Sequence, residues 1–309
     1  MTYNQLWKRL TAIYNEREAQ AIVRTVLDAL FGMSLTDICL GKVTQLSADD
    51  TTRLEKIMQR LEKSEPVQYV LGAEWFAGRL FDVAPGVLIP RPETEDLVKW
   101  ACDEAKEKEK EDNSKEERGK EEKEVSEKGE EAPHPSILDI GTGSGCIAIT
   151  VALALPQARV TAWDISTDAL AIAAGNAHRL GASVRFEHQD ALNAPDDEER
   201  WDVIVSNPPY ICDRERADMS DNVLSYEPEL ALFVPDSDPL LFYRAIARYA
   251  SKALKPGGRL LFETNTAYAH EVAQAMANEG FTAIEVRNDC FGKPRMVKGT
   301  FFKGKKVKR

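Results

Sequence analysis

The sequence predicts an α/β protein in two parts, a small helical bundle followed by a parallel sheet with helices on both faces. Three observations carry that reading. Apolar residues recur at helical spacing over the first 70 positions, and strand-like apolar runs alternate with helical ones from Ile137 to the C-terminus. The length of 309 residues also suffices for about two domains at roughly 150 residues each.

Val23, Val26, Leu27, Leu30 and Phe31 fall at i, i+3, i+4, i+7 and i+8, and Leu54, Ile57, Met58 and Leu61 repeat the pattern. Each helix therefore has one stripe to bury. Gly32 stops the first of these helices, and Ser47 before Ala48-Asp49-Asp50 is an N-cap with acids in the first turn. Residues 1–70 are expected to form the bundle. Over residues 71–89 the pattern shortens, alternating from Glu74 to Val83 around Gly78 and stopping at Pro85-Gly86, which reads as a linking β-hairpin. Pro90-Arg91-Pro92-Glu93-Thr94-Glu95 then opens a helix carrying Leu97, Val98 and Trp100, the start of a second domain over 90–309.

In that domain the expected strands are Ile137–Ile140, Val160–Ile165, Val184–Glu187, Trp201–Ser206 and Arg259–Glu263, with helices over Ile147–Leu155 and Thr167–Leu180. Their near-continuous apolarity marks strands buried on both faces of a parallel sheet. Thr282–Val286 and Val297–Phe302 add two strands joined by a polar loop.

Forty basic against 51 acidic residues give a net charge of −11, and 43 % of the chain is apolar. That balance fits an acidic, soluble globular protein and excludes a non-specific binder of phosphate backbones. From Asp103 to Glu131 there are 14 acids and 8 bases, with Val125 the only large apolar side chain. This insert is expected to be a solvated linker or a frayed charged helix. Cys39, Cys102, Cys146, Cys212 and Cys290 show no paired spacing, which fits reduced thiols. The four histidines lack metal-ligand spacing, so no metal is expected. With no apolar leader at the start and no run of 18 apolar residues, the expectation is a cytoplasmic protein with no membrane partner.

Ile137–Ile140 runs straight into Gly141-Thr142-Gly143-Ser144-Gly145 and an apolar helix. A glycine-rich turn thus stands at the carboxyl end of a strand, where open α/β sheets bind ligands. Asp164 ends the next strand, placed to accept from the two hydroxyls of a ribose, and Asp190 before Ala191 ends the third, in reach of an adenine amino group. Either acid has an alternative role in capping a turn. Glycines, acid and acid at successive strand ends describe a nucleoside site for NAD or S-adenosylmethionine, and the glycine spacing departs from the pyrophosphate-binding form.

The fourth strand decides between them. It ends in Asn207-Pro208-Pro209-Tyr210, where two prolines stop the ladder and stiffen the loop. Methylation of a planar nitrogen needs such a site, because its delocalised lone pair makes it a poor nucleophile. The Asn207 side-chain oxygen and the Pro208 carbonyl can hold both N–H groups, and Tyr210 can pack flat against the planar group.

Gly141 to Gly145, Asp164 and Asn207 to Tyr210 together resemble the class I S-adenosylmethionine-dependent methyltransferases that act on amino groups. Two flanking segments narrow the resemblance: Pro85-Gly86-Val87-Leu88-Ile89-Pro90-Arg91-Pro92-Glu93-Thr94-Glu95 and Tyr226-Glu227-Pro228-Glu229-Leu230-Ala231-Leu232. Over nearly the whole chain, except the insert and the basic tail, the sequence is similar to the HemK/PrmC-type glutamine N5-methyltransferases. These modify the glutamine of the Gly-Gly-Gln motif in class 1 peptide-chain release factors. The resemblance implies a Rossmann-like seven-stranded domain, S-adenosyl-L-methionine as cofactor, release factors as partners and no direct nucleic-acid partner. It implies that Gly141 to Gly145 and Asp164 bind the cofactor, and that Asn207, Pro208, Pro209 and Tyr210 bind the glutamine, with Asn207 also bordering the methionine end. It further implies that the bundle docks the release factor and that Arg91, Glu93 and Thr94 lie near the mouth of the site. The chain departs from many members at Ala191, where they carry a bulky aromatic, and at Thr264-Asn265, where they carry Ile-Gly.

Three other readings fit parts of the sequence. An Asn-Pro-Pro-Tyr loop serves a flipped adenine (N6) or cytosine (N4) equally well, but a DNA enzyme needs a basic face, and the basic cluster here is the tail Lys303 to Arg309. A ribosomal-protein glutamine is a nearer alternative, against which the Pro-Glu-Thr-Glu run weighs. A non-enzymatic binding domain is the third.

Overall fold

The N-terminal part consists of α1 (Tyr3–Arg9), α2 (Glu16–Phe31), α3 (Leu35–Cys39), α4 (Ala48–Leu61) and α5 (Val67–Leu71) in a computed structural model that describes residues 1–121 and 134–302. The Asn15 and Ser47 side chains accept from the third backbone N–H of α2 and α4, and Gly32 closes α2 in the left-handed region at φ +60°. The predicted stripes meet in one core in which Leu6, Leu10, Val23, Leu27, Leu54 and Met58 are fully buried.

β1 (Ala73–Phe76) and β2 (Arg79–Asp82) pair antiparallel as the expected hairpin. Phe76 and Phe81 enter the core of the second part and meet edge to face, with ring centroids 5.9 Å apart.

The second part runs α6 (Thr94–Glu121), β3 (Ser136–Ile140), α7 (Cys146–Ala154), β4 (Arg159–Asp164), α8 (Thr167–Leu180), β5 (Val184–His188) and β6 (Trp201–Ser206). It continues through β7 (Ile211–Cys212), α9 (Asp221–Tyr226), α10 (Glu229–Leu232), β8 (Phe233–Val234), α11 (Leu241–Ala253), β9 (Leu254–Glu263), α12 (Ala269–Asn278), β10 (Phe281–Asn288) and β11 (Pro294–Phe301). Seven strands form one sheet in the order β10-β11-β9-β6-β3-β4-β5. The five from β5 to β9 are parallel, whereas β11 is antiparallel to both neighbours. The polar loop joining β10 to β11 is too short for a crossover, so that pair can only form a hairpin. One face of the sheet is covered by α6, α7 and the hairpin, the other by α11 and α12. No helix of the described residues is long and apolar enough to cross a membrane.

Of the two forms expected for the insert, a solvated linker or a frayed charged helix, its first part is helical, but it is not solvated from Asp103 onward. α6 runs through its first part, where Ala105, Glu104 and Lys108 are buried. Glu104 accepts from Trp100 Nε1 at 2.9 Å, Arg259 Nε at 3.3 Å and Lys298 Nζ at 2.5 Å, while Arg259 also reaches Glu111 at 2.8 Å. The composition is polar, but its charges are matched by opposite ones on β9 and β11, so this stretch of the helix packs through ion pairs in addition to the apolar contact of Ala105. Residues 122–131 of the insert and the tail Lys303 to Arg309 lie outside the described residues.

Candidate active site

Where the sheet order turns from β3-β4-β5 to β6-β9, the carboxyl ends of the strands open into a cavity of about 330 Å3. This is the switch point at which open α/β sheets bind ligands.

Gly141 and Gly143, after β3, line the cavity. Thr142, Ser144 and Gly145 are buried and do not line it. Thr142 donates to the buried Asp139 at 2.6 Å, and a Cβ at Gly145 would stand 2.7 Å from Ile149 Cδ1, so these residues build the turn and seat α7 against α8. Burial pushes the Asp139 carboxyl up to about 7.

Asp164 lines the cavity and accepts from the Gly143 N–H at 2.8 Å and the Ser166 N–H at 2.9 Å. A carboxylate has about four acceptor positions, so two remain for ligand hydroxyls. Asp190 and Ala191 also line the cavity. Asp190 caps its turn, accepting from the Leu192 N–H at 2.8 Å and Asn193 Nδ2 at 2.6 Å. The exposed apolar side chains Ile165, Leu192 and Leu230 also line the cavity.

Asn207, Pro208 and Pro209 line the cavity from the end of β6, and Tyr210 faces a neighbouring concavity with Asn265 and Arg295. Asn207 Nδ2 lies 3.4 Å from Thr94 Oγ1, and Thr94 donates to Glu263 Oε2 at 2.6 Å. The Tyr210 hydroxyl donates to Glu263 Oε1 at 3.3 Å, and Asn265 Nδ2 donates to the Tyr210 carbonyl at 3.3 Å. Glu263 is fully buried, which pushes its carboxyl up to about 7. Sequence reasoning took Glu263 only as the end of a strand. The signal was an acid ending β9 beside β6, as Asp164 ends β4 beside β3.

At the mouth, Arg91 pairs with Glu227 at 2.6 Å, and the Ile89 N–H donates to the same carboxylate at 3.2 Å. Thr94 is buried among the site residues, and the Glu93 charge is felt at Glu263. Sequence reasoning missed Gly86, Val87 and Leu88 as cavity wall.

Fold and site together define a methyltransferase, and residues 127–225 match the family model Methyltransferase small domain. Residues 3–72 match the PrmC N-terminal domain. The chain belongs to the release factor glutamine methyltransferase family. It is 44 % identical over 289 residues to the Release factor glutamine methyltransferase of Bacteroides thetaiotaomicron, covering 93 % of this chain and 95 % of that one. To the protein of the same description from Flavobacterium psychrophilum it is 36 % identical over 297 residues, covering 96 % and 97 %. A solved ribosomal protein L11 methylase from Lactobacillus delbrueckii is 17 % identical, with 72 % of this chain and 84 % of that chain covered at a TM-score of 0.43.

Proposed function

We propose that this chain methylates the side-chain amide nitrogen (N5) of the glutamine in the Gly-Gly-Gln motif of class 1 peptide-chain release factors, using S-adenosyl-L-methionine. One observation carries the reading: Asn207, Pro208 and Pro209 share a single cavity with Gly141, Gly143, Asp164 and Asp190. The residues fit the cofactor, since Asp164 keeps acceptor positions for ribose hydroxyls, while Ile165 and Leu192 offer apolar surface beside Asp190 for an adenine.

When bound, the cofactor supplies a methyl group already activated on a sulfonium. The protein then has to position the amide rather than abstract a proton first. The Asn207 oxygen and the Pro208 carbonyl accept the two amide N–H groups, which aims the nitrogen lone pair at the methyl and stabilises the positive charge that develops. Pro208 and Pro209 hold these acceptors rigid. Tyr210, fixed at its hydroxyl and its carbonyl, is a stiff flank for the substrate. The bundle docks the release factor, and two hydrogen bonds tie the bundle to the rest of the chain: Tyr226 to the Lys63 carbonyl at 2.8 Å, and Tyr69 to the carbonyl of the cavity residue Val87 at 2.5 Å. Five unpaired cysteines support a reducing, cytoplasmic setting.

The test is incubation with methyl-labelled S-adenosyl-L-methionine and, separately, a release factor, its glutamine-to-alanine variant, a ribosomal-protein mixture and duplex DNA. Label on the intact release factor alone is expected. Label on DNA or on a ribosomal protein would replace the proposed substrate.

A further inference from the structure

A side-chain amide offers an acceptor at one end and two donors at the other, so only one orientation of Asn207 can accept from a substrate N–H. The chain makes that choice through a line of two hydrogen bonds. Glu263 at the end of β9 receives the Thr94 hydroxyl proton at 2.6 Å. A hydroxyl has one proton, and with that proton on the Glu263 side Thr94 Oγ1 can only accept. Asn207 meets it with Nδ2 at 3.4 Å. Asn207 Oδ1 is then left for the cavity, and no protein donor reaches it among the described residues.

We infer that Glu263 and Thr94 are positioning residues for methyl transfer: the Glu263 carboxylate, acting through the Thr94 hydroxyl, sets the polarity of the Asn207 amide so that an acceptor faces the substrate. This deepens the glutamine-methylation reading and rests on it for its consequence in turnover.

The line can also run backwards. A protonated Glu263 donates to Thr94 Oγ1, and Thr94 then donates to Asn207 after a half-turn of the amide. Asn207 would present Nδ2 to the substrate N–H, donor against donor. The reversal needs one proton from solvent on Glu263 and a rotation about single bonds; no covalent bond between heavy atoms changes.

The groups that face Glu263 come from five elements, one of them α7, whose buried Cys146 thiol feels the Glu263 charge. At the start of α6 stand Thr94 and Glu93, whose charge opposes ionisation. After β6 the Tyr210 hydroxyl donates to Oε1, and from β11 the Arg295 guanidinium favours the carboxylate. On α11 the Tyr243 hydroxyl donates to the Glu263 main-chain carbonyl at 3.2 Å. Burial outweighs them all and pushes the carboxyl to about 7, so the reversal falls near neutrality.

Two measurements on the full chain with S-adenosyl-L-methionine bound test the inference. The first is NMR of side-chain amide nitrogens and Glu carboxyl carbons across about pH 6 to 8, around the Glu263 midpoint. The Asn207 amide signal of the parent is expected to move with the same midpoint as the Glu263 carboxyl, and in Thr94→Val it should stop following. The second is turnover of release factor at saturating cofactor. The parent kcat should rise across that range, while Thr94→Val and Glu263→Gln lose the pH dependence and about tenfold or more of kcat at the upper end. Thr94→Ser should restore both, and the cofactor Kd should stay near the parent's in all three. An Asn207 signal that ignores the Glu263 titration overturns the inference, with no variant required. A Thr94→Val profile that still tracks the parent's overturns it as well. If the NMR behaves as expected but no label reaches the release factor, the substrate reading falls and the polarity relay stands.

Discussion

Arg91 and Glu227 meet at 2.6 Å across 136 residues of sequence and bind together the two segments that frame the mouth of the cavity. The Glu227 side chain is 1 % exposed and also takes the buried Ile89 N–H, while Arg91 is 30 % exposed. The partners should therefore be unequal. Glu227→Ala leaves a buried donor unpaired and is expected to cost about 1 to 3 kcal/mol of stability. Arg91→Ala leaves the buried Glu227 carboxylate without its cation and should cost more, about 3 to 5 kcal/mol. Gly86 to Leu88 and Pro228 to Ala231 are the walls that Glu227 ties together, so its variant should also bind S-adenosyl-L-methionine more weakly. Denaturant midpoints and calorimetry read both effects, and equal costs for the two variants would contradict the asymmetry.

Asp164→Ala should weaken cofactor binding by about 1 to 3 kcal/mol, the loss expected for a hydrogen bond to a charged group. The substitution also removes the acceptor of the Gly143 and Ser166 N–H groups, so the turn itself loosens. Asp164→Asn separates the two effects, because its carbonyl oxygen still accepts one of these N–H groups. It should keep more thermal stability than Asp164→Ala while losing comparable affinity. Unchanged affinity by calorimetry would remove Asp164 from the cofactor site.

Glu104 tests how the charged start of the insert packs. With Arg259 and Lys298 as partners, 8 % and 14 % exposed, Glu104→Ala takes one carboxylate from two poorly solvated cations that keep only the half-exposed Glu111 and Glu285, and a loss of about 1 to 3 kcal/mol is expected. Glu111, 46 % exposed, should cost less than about 1 kcal/mol in the same substitution. A Glu104→Ala melt close to the parent's would mean that this turn of α6 contributes little to the fold.

Local pattern carried most of the fold. β6 and α8 coincide with their expected spans, Trp201–Ser206 and Thr167–Leu180, because each has a sharp boundary, Pro208-Pro209 after one and Ser166 and Gly181 around the other. β9 begins at Leu254 rather than Arg259, since Pro256-Gly257-Gly258 reads as a turn but is carried into the ladder past a register shift opposite Trp201. The site was legible where one residue type ends one strand, as at Asp164 and Asn207. It was not legible where function depends on pairing across the chain: Thr94 and Glu263 lie 169 residues apart and meet only because α6 packs against β9. The packing of Glu104 was hidden for the same reason, since its partners are on β9 and β11.

Asn207→Ala should leave the fold intact and slow methyl transfer by roughly 10² or more at saturating cofactor, comparable to losing one preorganised polar group in a water-poor site. Asn207→Asp retains an acceptor in either orientation and no longer depends on Thr94 for its polarity. It should keep more turnover than the alanine variant. Equal turnover of Asn207→Ala and parent would take this residue out of the mechanism.

Stability and turnover should respond to pH in opposite directions over the same range. Burial pushes both the Asp139 and the Glu263 carboxyls to about 7. In the unfolded chain each returns to the ordinary carboxylate range near 4, so between about pH 4 and 7 the folded state holds more protons than the unfolded one. Their stabilising contribution is complete below the unfolded value and is lost as pH rises through the folded one, by roughly a few kcal/mol per group. Asp37, held down to about 2 by Lys42 and Ser34, has the opposite sign but titrates below this window. Thermal midpoints should therefore fall from about pH 5 to 8 while turnover, which needs ionised Glu263, rises. Asp139→Asn isolates one contributor: it removes a titrating carboxyl that holds the Thr142 hydroxyl and the Ala148 N–H and does not line the cavity. Its midpoint should fall less steeply with pH than the parent's, while its kcat profile keeps the parent's midpoint. Parallel stability curves for parent and Asp139→Asn would mean that Asp139 is already ionised at pH 5 in the folded protein, with its Thr142 and Ala148 hydrogen bonds outweighing its burial.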